Sequence, residues 1–266
     1  MTTRRAQVVL LGVGSVVLFG MLSIEVAYRL AIGSLQPLPT VNQYTQLDPR
    51  VARAIWASET GSLNQRIRPL YPWTLFSREK PGTAFARAIA IDFLWEARKR
   101  GRVSSDLESF LKGAAVTAWV TRSMSTDEIV ARYAELMWIA RAERGLEAGA
   151  QYWYGRPVAA VDDVQLAVLL GVSQSAARYY ALRHPEGALA LRNRVLERFV
   201  AAGFMASSAL SAAKAAPLDV ACECPKGDAA EQGVEADEAR QTSELRSLTP
   251  VFGRLEWRAS EGSVLR

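Results

Sequence analysis

The residue types that could carry out chemistry are limited by the cysteine and histidine content. The 266-residue chain has two cysteines, Cys222 and Cys224, and one histidine, His184, which is followed by Pro185. One intervening residue is too few for an ordinary disulfide, and the two thiols are too few for a self-contained zinc site. A single histidine also argues against a histidine-based triad or a multi-histidine metal centre. We therefore predict no metal and no cofactor, and expect catalysis to depend on carboxylates, hydroxyls and basic groups.

The N-terminal segment has the length and composition of a membrane anchor. Residues 6–24 contain no charged residue, and at about 1.5 Å per residue they cover roughly 28 Å, close to the ~30 Å hydrocarbon core. No convincing small-residue cleavage site follows, although Val26-Ala27 keeps a cleaved signal peptide open as the alternative. We interpret residues 1–5 as a cytoplasmic stub and residues 6–30 as an uncleaved transmembrane anchor.

The arginine pair before the anchor predicts its orientation. Arg4 and Arg5 precede the apolar run, and the positive-inside rule places that end in the cytoplasm. The chain should therefore be a single-pass protein of the inner (cytoplasmic) membrane, with its C-terminal domain extracytoplasmic or periplasmic. We therefore expect no nucleic-acid partner for a domain on that side.

Charge is distributed unevenly along the chain. Residues 31–206 hold 22 Lys and Arg against 16 Asp and Glu, whereas residues 207–266 hold 7 against 10. The basic body should favour anionic lipid head groups or pyrophosphate-bearing lipids at a membrane surface. One cluster is either such a contact or simply a solvated helix end, and it comprises Arg98, Lys99, Arg100 and Arg102.

Helical periodicity and capping signals predict that the body is mostly α. Capping boxes at Ser105–Glu108 and Ser125–Glu128 predict two helix starts. A further helix should begin near Asp162 or Asp163 and end at Gly171. The first of these helices has an apolar repeat at three-and-four spacing that predicts its buried face: Leu107, Phe110, Leu111, Ala114 and Ala118. Pro185 suits a first helical position, and Gly203 should end that helix.

Two stretches depart from the helical pattern. Residues 61–82 combine glycines and prolines with Tyr71, Trp73 and Phe76, which predicts an irregular segment whose aromatics either lie at a head-group interface or pack on the body. Residues 221–266 are acidic and poor in large apolar residues over most of their length, a composition typical of a disordered tail.

Several motifs occur in the order found in one enzyme family. Ser125–Tyr133 matches S-K-D-x-I-L-x-x-Y, Gln151–Pro157 matches Y-Y-F-G-R-P, and Asp163–Gly171 matches L-x-x-x-E-x-A-x-L-x-G. Tyr179, Pro185 and Ala188–Leu196 fit Y-x-P, P-x-x-A and R-x-x-V-L, and Ala216-Pro217-Leu218 fits A-P-L. In this collinear order the chain, over residues 45–220, resembles the peptidoglycan glycosyltransferase domain. This is glycosyltransferase family 51, the transglycosylase domain of class A penicillin-binding proteins and monofunctional transglycosylases.

The resemblance implies an all-α, lysozyme-like lobe beside a small, irregular, membrane-proximal jaw, which would polymerise lipid II into glycan strands. The helix 51–60 puts Glu59 in the place of the family's first catalytic glutamate, thought to deprotonate the acceptor hydroxyl, while Thr60 replaces the adjacent aspartate. Without this match to the family, a single glutamate on a helix would most often be interpreted as a solvated surface residue. Gly82 and Thr83 preserve part of the family's Gly/Thr turn, and Arg87 could supply positive charge to a substrate.

The remaining catalytic pattern is damaged. Both glutamines and the lysine that follow the Gly/Thr turn are replaced, and the family's F-x-x-H signature is missing. Counting back from Ile129, the R-K-x-x-E motif falls on Ser109, Phe110 and Gly113, so both the basic pair and the second glutamate are absent. Glu108 lies nearby, but using it requires a shift of five residues that breaks the helical register.

These losses predict a divergent family member of cell-wall biogenesis with reduced or lost polymerase activity. Its expected partners are lipid II or glycan strands, the membrane and cell-wall synthesis proteins. One alternative is an active lipid II polymerase with Glu59 as the base. A minor alternative is a lysozyme-like glycan hydrolase in which Glu59 serves as the general acid.

Overall fold

The computed structural model describes residues 2–38, 47–63, 66–71, 82–139, 144–173 and 185–219. Trp73, Phe76, His184, both cysteines and the predicted disordered tail lie outside these ranges. The described residues form nine α-helices and contain no β-strand beyond an isolated bridge between Trp138 and Arg144. The predicted all-α class is therefore confirmed.

The helices follow one another along the chain with short connections in the central region. Their bounds are α1 Thr2–Gly33, α2 Pro49–Thr60, α3 Thr83–Lys99, α4 Asp106–Ser123, α5 Thr126–Leu136, α6 Leu146–Tyr154, α7 Asp163–Ser173, α8 Pro185–Ala201 and α9 Leu210–Ala215. Short 3-10 turns lie at Val158–Ala160 and Ser207–Ala209. Two pairs pack most extensively, α3 on α4 and α7 on α8, while α2 contacts α5, α7 and α8.

Helix α1 contains one stretch, Gly14–Gly33, that is long and apolar enough to cross a membrane and is not buried by the rest of the protein. Length and composition alone support this, and a signal sequence near an N-terminus has the same properties. The helix nevertheless packs against α4, and Leu35, just after its end, is fully buried. The end of α1 is thus part of the domain's packing.

Helix α4 buries only part of the predicted face: Ala118 is buried as expected, but the two leucines are not. Leu107 and Leu111 are 69% and 55% exposed, so the prediction that they face the core was wrong. The buried residues are mostly small, hydroxylated or otherwise polar: Ser109, Lys112, Gly113, Ala115, Val116, Thr117, Ala118, Val120 and Thr121. Small side chains allow α4 to approach α3 closely, so this interface carries little of the apolar periodicity on which the prediction rested.

The two predicted capping boxes differ in detail. At α5 both halves form: the Ser125 side chain accepts from the Glu128 amide, and the Glu128 carboxylate accepts from the Ser125 amide at 2.6 Å. At α4 Ser105 caps the helix, but Glu108 accepts from the amide of Ser104 instead.

Gly171 lies inside α7 and does not end it, contrary to expectation, since the helix continues to Ser173. A Cβ at Gly171 would lie 3.1 Å from the backbone carbon of Leu191 on α8. This glycine therefore permits the close approach of α7 and α8. The predicted start of α8 at Pro185 and its end before Gly203, which has φ of 74°, are both confirmed.

Arg192 is a fully buried cation within α8. Its guanidinium donates to the carbonyl oxygens of Lys214 and Ala216, both at 2.6 Å, and to Oδ1 of Asn193. Among the described residues no carboxylate pairs with it, so backbone carbonyls around the end of α9 provide its compensation. This contact joins the R-x-x-V-L and A-P-L segments, which are more than 20 residues apart in sequence.

Candidate active site

Glu59 lies in the last turn of α2, a helix with well-formed ends. The Asp48 side chain accepts from the amides of Arg50 and Val51 at the N-terminus, and Gly61, in a left-handed conformation, donates to the Ala57 carbonyl at the C-terminus. Glu59 is half-buried. It therefore differs from the solvated surface glutamate that is usual for an isolated helical position.

The Glu59 carboxylate is held by a phenol from α5. The hydroxyl of Tyr133 donates to Oε1 of Glu59 at 3.0 Å. Burial of the ring, together with the negative charge of Glu59, raises the pKa of Tyr133 well above its usual value. Tyr133 therefore stays protonated and remains a hydrogen-bond donor at physiological pH.

Aromatic packing fixes the position of Tyr133. Its ring centroid lies 4.7 Å from that of Phe85 on α3, and Phe85 makes an edge-on contact with Trp56 on α2 at 5.0 Å. Such pairs add stabilisation beyond their buried area. Three helices therefore meet around the side chain that binds Glu59.

Gly82 brings the start of α3 against the helix that carries Glu59. It has φ of 80°, and a Cβ there would lie 2.6 Å from Cη2 of Trp56 and 2.8 Å from Cγ1 of Ile67. Neither the backbone conformation nor the available space suits any other residue. Gly82 therefore has a structural function here, whatever it contributes to binding.

Thr83 and Arg87 occupy the first two turns of α3. Thr83 is buried and Arg87 is half-buried. They lie on either side of Phe85, the ring that contacts Tyr133. Their roles in binding substrate remain predictions.

Arg198 is a basic residue near Glu59 that sequence reasoning missed. From α8, 140 residues away in sequence, its Nη1 donates to the carbonyl oxygen of Ser58 at 2.5 Å. It lies two residues beyond the R-x-x-V-L segment, and no motif distinguishes it from the other arginines of α8. The neighbourhood of Glu59 thus includes a guanidinium from α8 and a phenol from α5.

The position predicted for the second catalytic carboxylate, residue 113 on α4, is buried and carries no acid, unlike position 59. Ser109 is 1% exposed and Gly113 is buried, and the Gly113 carbonyl accepts from Oγ1 of Thr117 at 2.8 Å. No acid stands at this point of α4. Ser109 and Gly113 are both buried, and the Gly113 carbonyl is engaged within the helix.

Glu108, the nearest acid in sequence, is committed to other partners. Oε1 lies 2.7 Å from Nζ of Lys112, and Oε2 accepts from the amide and hydroxyl of Ser104, both at 2.8 Å. The hydrogen bonds from Lys112 and Ser104 lower the pKa of Glu108 to about 2. A carboxylate with such a pKa is a poor proton donor near neutral pH. Within the described ranges, no group of three or more His, Cys, Asp or Glu residues is arranged to hold a metal ion.

Comparison with known proteins places this helical region in a family. Residues 96–200 match the Transglycosylase family. Penicillin-binding protein 1A of Pseudomonas aeruginosa is 29% identical over 100 residues, which cover 38% of this chain and 12% of that protein. Penicillin-binding protein 1A of Aquifex aeolicus is 29% identical over 114 residues, or 43% of this chain and 16% of that protein. That of Streptococcus oralis is 26% identical over 119 residues, or 43% and 19%.

These matches confirm the family predicted from the motifs. Residues 96–200 are similar to the Transglycosylase family, and identities of 26–29% to the three relatives fit a divergent member. The chain spans less than a fifth of the length of these relatives. The family match begins at residue 96, so it includes the helix with Gly113 but lies beyond Glu59, Gly82, Thr83 and Arg87.

Proposed function

We propose that the chain binds lipid II or peptidoglycan glycan strands and has reduced or lost polymerase activity. The observation that carries this proposal is the contrast between two positions. Glu59 is held by a buried phenol at 3.0 Å, whereas the position of the second carboxylate is a packed glycine, Gly113. The acceptor side of the site keeps its carboxylate, and the donor side has lost its own.

The chemistry of glycosyl transfer explains why this contrast matters. A base near the acceptor hydroxyl contributes one part of the rate, typically 10²–10⁴-fold. Stabilisation of the departing pyrophosphate by preorganised positive charge is usually the larger part. With Ser109 and Phe110 in the places of the basic pair, that larger part is missing from its usual position.

Binding can outlast the loss of catalysis because it needs fewer precisely placed groups. We assign Gly82, Thr83 and Arg87 to the substrate-binding surface, with Arg87 providing positive charge for a pyrophosphate. Since charge attraction weakens with ionic strength, this binding should be salt-sensitive. Arg87→Ala should weaken lipid II retention and reduce its salt dependence.

The deciding experiment measures binding and polymerisation on the full chain in detergent micelles supplied with lipid II. We expect retention of lipid II without formation of glycan polymer. Glu59→Gln, compared with the exposed control Glu186→Gln, should leave retention within a fewfold of the unmodified chain. Absence of lipid II and glycan-strand binding would refute the proposal.

The second candidate function is active polymerisation with Glu59 as the base. The hydrogen bond from Tyr133 favours it, because an oriented carboxylate is what that role requires. In that case the unmodified chain would make polymer and Glu59→Gln would abolish it, while Glu186→Gln would not. Polymerisation that survives Glu59→Gln would exclude both this alternative and the assignment of Glu59.

A lysozyme-like hydrolase has less support. Glycan hydrolysis generally uses two carboxylates on either side of the scissile bond, and Glu108 has a pKa of about 2 and two other partners. Release of soluble fragments from purified peptidoglycan, abolished by Glu59→Gln, would establish this activity.

We further propose that α1 anchors the domain, residues 45–220, outside the cytoplasm, with residues 221–266 as a tail. The arginine pair at residues 4 and 5 supports this orientation. A reporter that is active only outside the cytoplasm should be active when fused after Arg266. Activity of a cytoplasm-specific reporter at that site would contradict the orientation and, with it, access to lipid II on the outer side.

A further inference from the structure

The basic cluster after α3 is largely occupied within the protein. Arg98 lies 3.5 Å from Oδ1 of Asp106, and Lys99 pairs with Glu96 at 3.2 Å. The guanidinium of Arg102 donates to the carbonyl oxygen of Gln36 at 2.6 Å. Lipid phosphates would have to compete with these contacts, so the residues from Arg98 to Arg102 are better explained as a helix end and its packing.

A second group of arginines lies on the other side of α4, along the extended segment 66–71. Two hydrogen bonds from this segment fix it: the Ile67 amide donates to Oγ1 of Thr126 at 3.1 Å, and the Leu70 amide donates to Oγ1 of Thr121 at 2.9 Å. Ile67 and Leu70 are both 5% exposed. The segment therefore presents its remaining side chains outward, and these include Arg66, Arg68 and Tyr71, all exposed.

Arg122, near the end of α4, connects this segment to the candidate anchor. Its guanidinium carbon lies 5.1 Å from the ring centroid of Tyr28 on α1 and 5.4 Å from that of Tyr71. Tyr28 belongs to the last third of the stretch Gly14–Gly33. Arg122 therefore lies beside the C-terminal part of the stretch, from which α1 would leave a bilayer, and the segment 66–71 adjoins it through Tyr71.

These arginines are not neutralised by ion pairs with the described residues. The carboxylates on adjoining elements have other partners or remain in solvent: Glu25 pairs with Arg29, Glu128 accepts from the Ser125 amide, and Asp127 is exposed in the first turn of α5. Arg122 also has a hydrogen bond with the Tyr28 side chain, so the donors available to an outside partner are mainly those of Arg66 and Arg68.

We propose that Arg66, Arg68 and Arg122, together with Tyr71, form a surface that contacts the anionic head groups of the bilayer entered by α1. We call it the arginine face. Phosphates accept from guanidinium groups, and a tyrosine suits the head-group layer because its ring is apolar and its hydroxyl is polar. Basic residues near an anionic leaflet are attracted to it within a Debye length. The proposal relies on α1 as an anchor but not on glycan transfer, so it can fail or succeed independently of the proposed function.

The test uses the full chain in nanodiscs, with both cysteines replaced by serine and Pro69→Cys carrying a nitroxide label in the middle of the segment. The label's collision rate with a water-soluble nickel reagent reports its exposure. Discs of phosphatidylcholine alone are compared with discs that also contain phosphatidylglycerol. We expect the anionic discs to protect the label severalfold, and added salt to reverse the protection.

Paired charge reversals identify the face. Arg66→Glu with Arg68→Glu should abolish the protection, whereas Arg100→Glu with Arg194→Glu, two exposed arginines on other parts of the chain, should preserve it despite the same change in net charge. Thermal melting checks that both variants are folded, and retention in the discs checks that α1 is inserted. Equal exposure of the label in both disc types, or equal loss of protection in both variants, would overturn the proposal.

Discussion

The family register predicts a catalytic carboxylate at position 59, near the end of α2, and another at position 113, in the first half of α4, and the chain has a glutamate only at position 59. Glu59 is bound by Tyr133 and lies beside a carbonyl that accepts from Arg198. On α4, Gly113 and Ser109 are buried among small side chains. The difference shows that the two predicted positions rest on separate contacts, so the residues around one can change while those around the other stay ordered.

Gly113→Glu should have the largest effect on this contrast. The new carboxylate would enter a buried position with no described cation placed for it, at a cost of about 3 kcal/mol or more in the free energy of unfolding. Urea denaturation of the variant measures that cost. Leu111→Glu, on the exposed face of the same helix, is the matched control and should change the free energy by less than ~0.5 kcal/mol.

A stable Gly113→Glu variant would mean that the α4 position opens onto a cleft. In that case Ser109→Arg and Phe110→Lys should be added, and the triple variant should be assayed for polymerisation.

Tyr133→Phe should have the next largest effect, because it removes a donor to a half-buried carboxylate. We expect a loss of about 2 kcal/mol in the free energy of unfolding. A double-mutant cycle with Glu59→Ala isolates the contact, because alanine, unlike glutamine, has no acceptor for the phenol, and the interaction energy should be well above experimental error. Additive effects of the two substitutions would show that the hydrogen bond contributes nothing.

Arg198→Met tests the second contact at the α2 end. The substitution keeps much of the apolar side chain but removes the donor to the Ser58 carbonyl, which should cost about 1 kcal/mol. Arg194→Met, exposed on the same helix, serves as the control and should be near neutral. If both substitutions lower the free energy of unfolding equally, the hydrogen bond from Arg198 to the Ser58 carbonyl contributes nothing to stability.

The smallest effect should be a pH-dependent one at Glu108. The pKa of this carboxyl is lowered to about 2 from the usual 4.5 in the folded state. Its contribution to stability is therefore present above about pH 4.5 and is lost as the pH falls towards 2. Urea midpoints should differ between the unmodified chain and Glu108→Gln at pH 7, and the difference should shrink by pH 3. A difference that stays constant with pH would contradict the pairing with Lys112.

Sequence alone predicted the helix starts well because capping is a local interaction. Ser125 and Glu128 are three residues apart and satisfy each other's amides without help from the rest of the chain. Pro185 and Gly203 likewise act through their own backbone preferences. Such signals need no knowledge of what packs against the helix.

The same reasoning failed where packing decided the outcome. Leu107 and Leu111 suggested the core face of α4, but the buried face is lined by residues such as Thr117, whose hydroxyl donates to the Gly113 carbonyl and so can leave water at little cost. Gly171 was interpreted as a helix end because glycine often follows the last residue of a helix. Its close contact with Leu191, in another helix, explains why a glycine stands there instead. The periodicity of apolar residues predicts neither the hydrogen bond of Thr117 nor the contact between Gly171 and Leu191.

The candidate site could be predicted from the sequence only in part, because its residues are brought together by the fold. Glu59 and Tyr133 could both be located by motif register, but their hydrogen bond joins residues 74 positions apart, and only the fold brings them together. Arg198 interacts through a backbone carbonyl, which any residue at position 58 would offer. No pattern of side-chain types could have indicated it.

The buried guanidinium of Arg192 has a practical consequence for shortening this protein. Its charge is compensated by the carbonyl oxygens of Lys214 and Ala216, so a chain cut before Lys214 would leave an uncompensated cation in the interior, which is costly. Any minimal fragment intended for crystallisation or binding assays should therefore retain Ala216. Partial proteolysis of the intact protein should accordingly yield a stable product that ends beyond this residue.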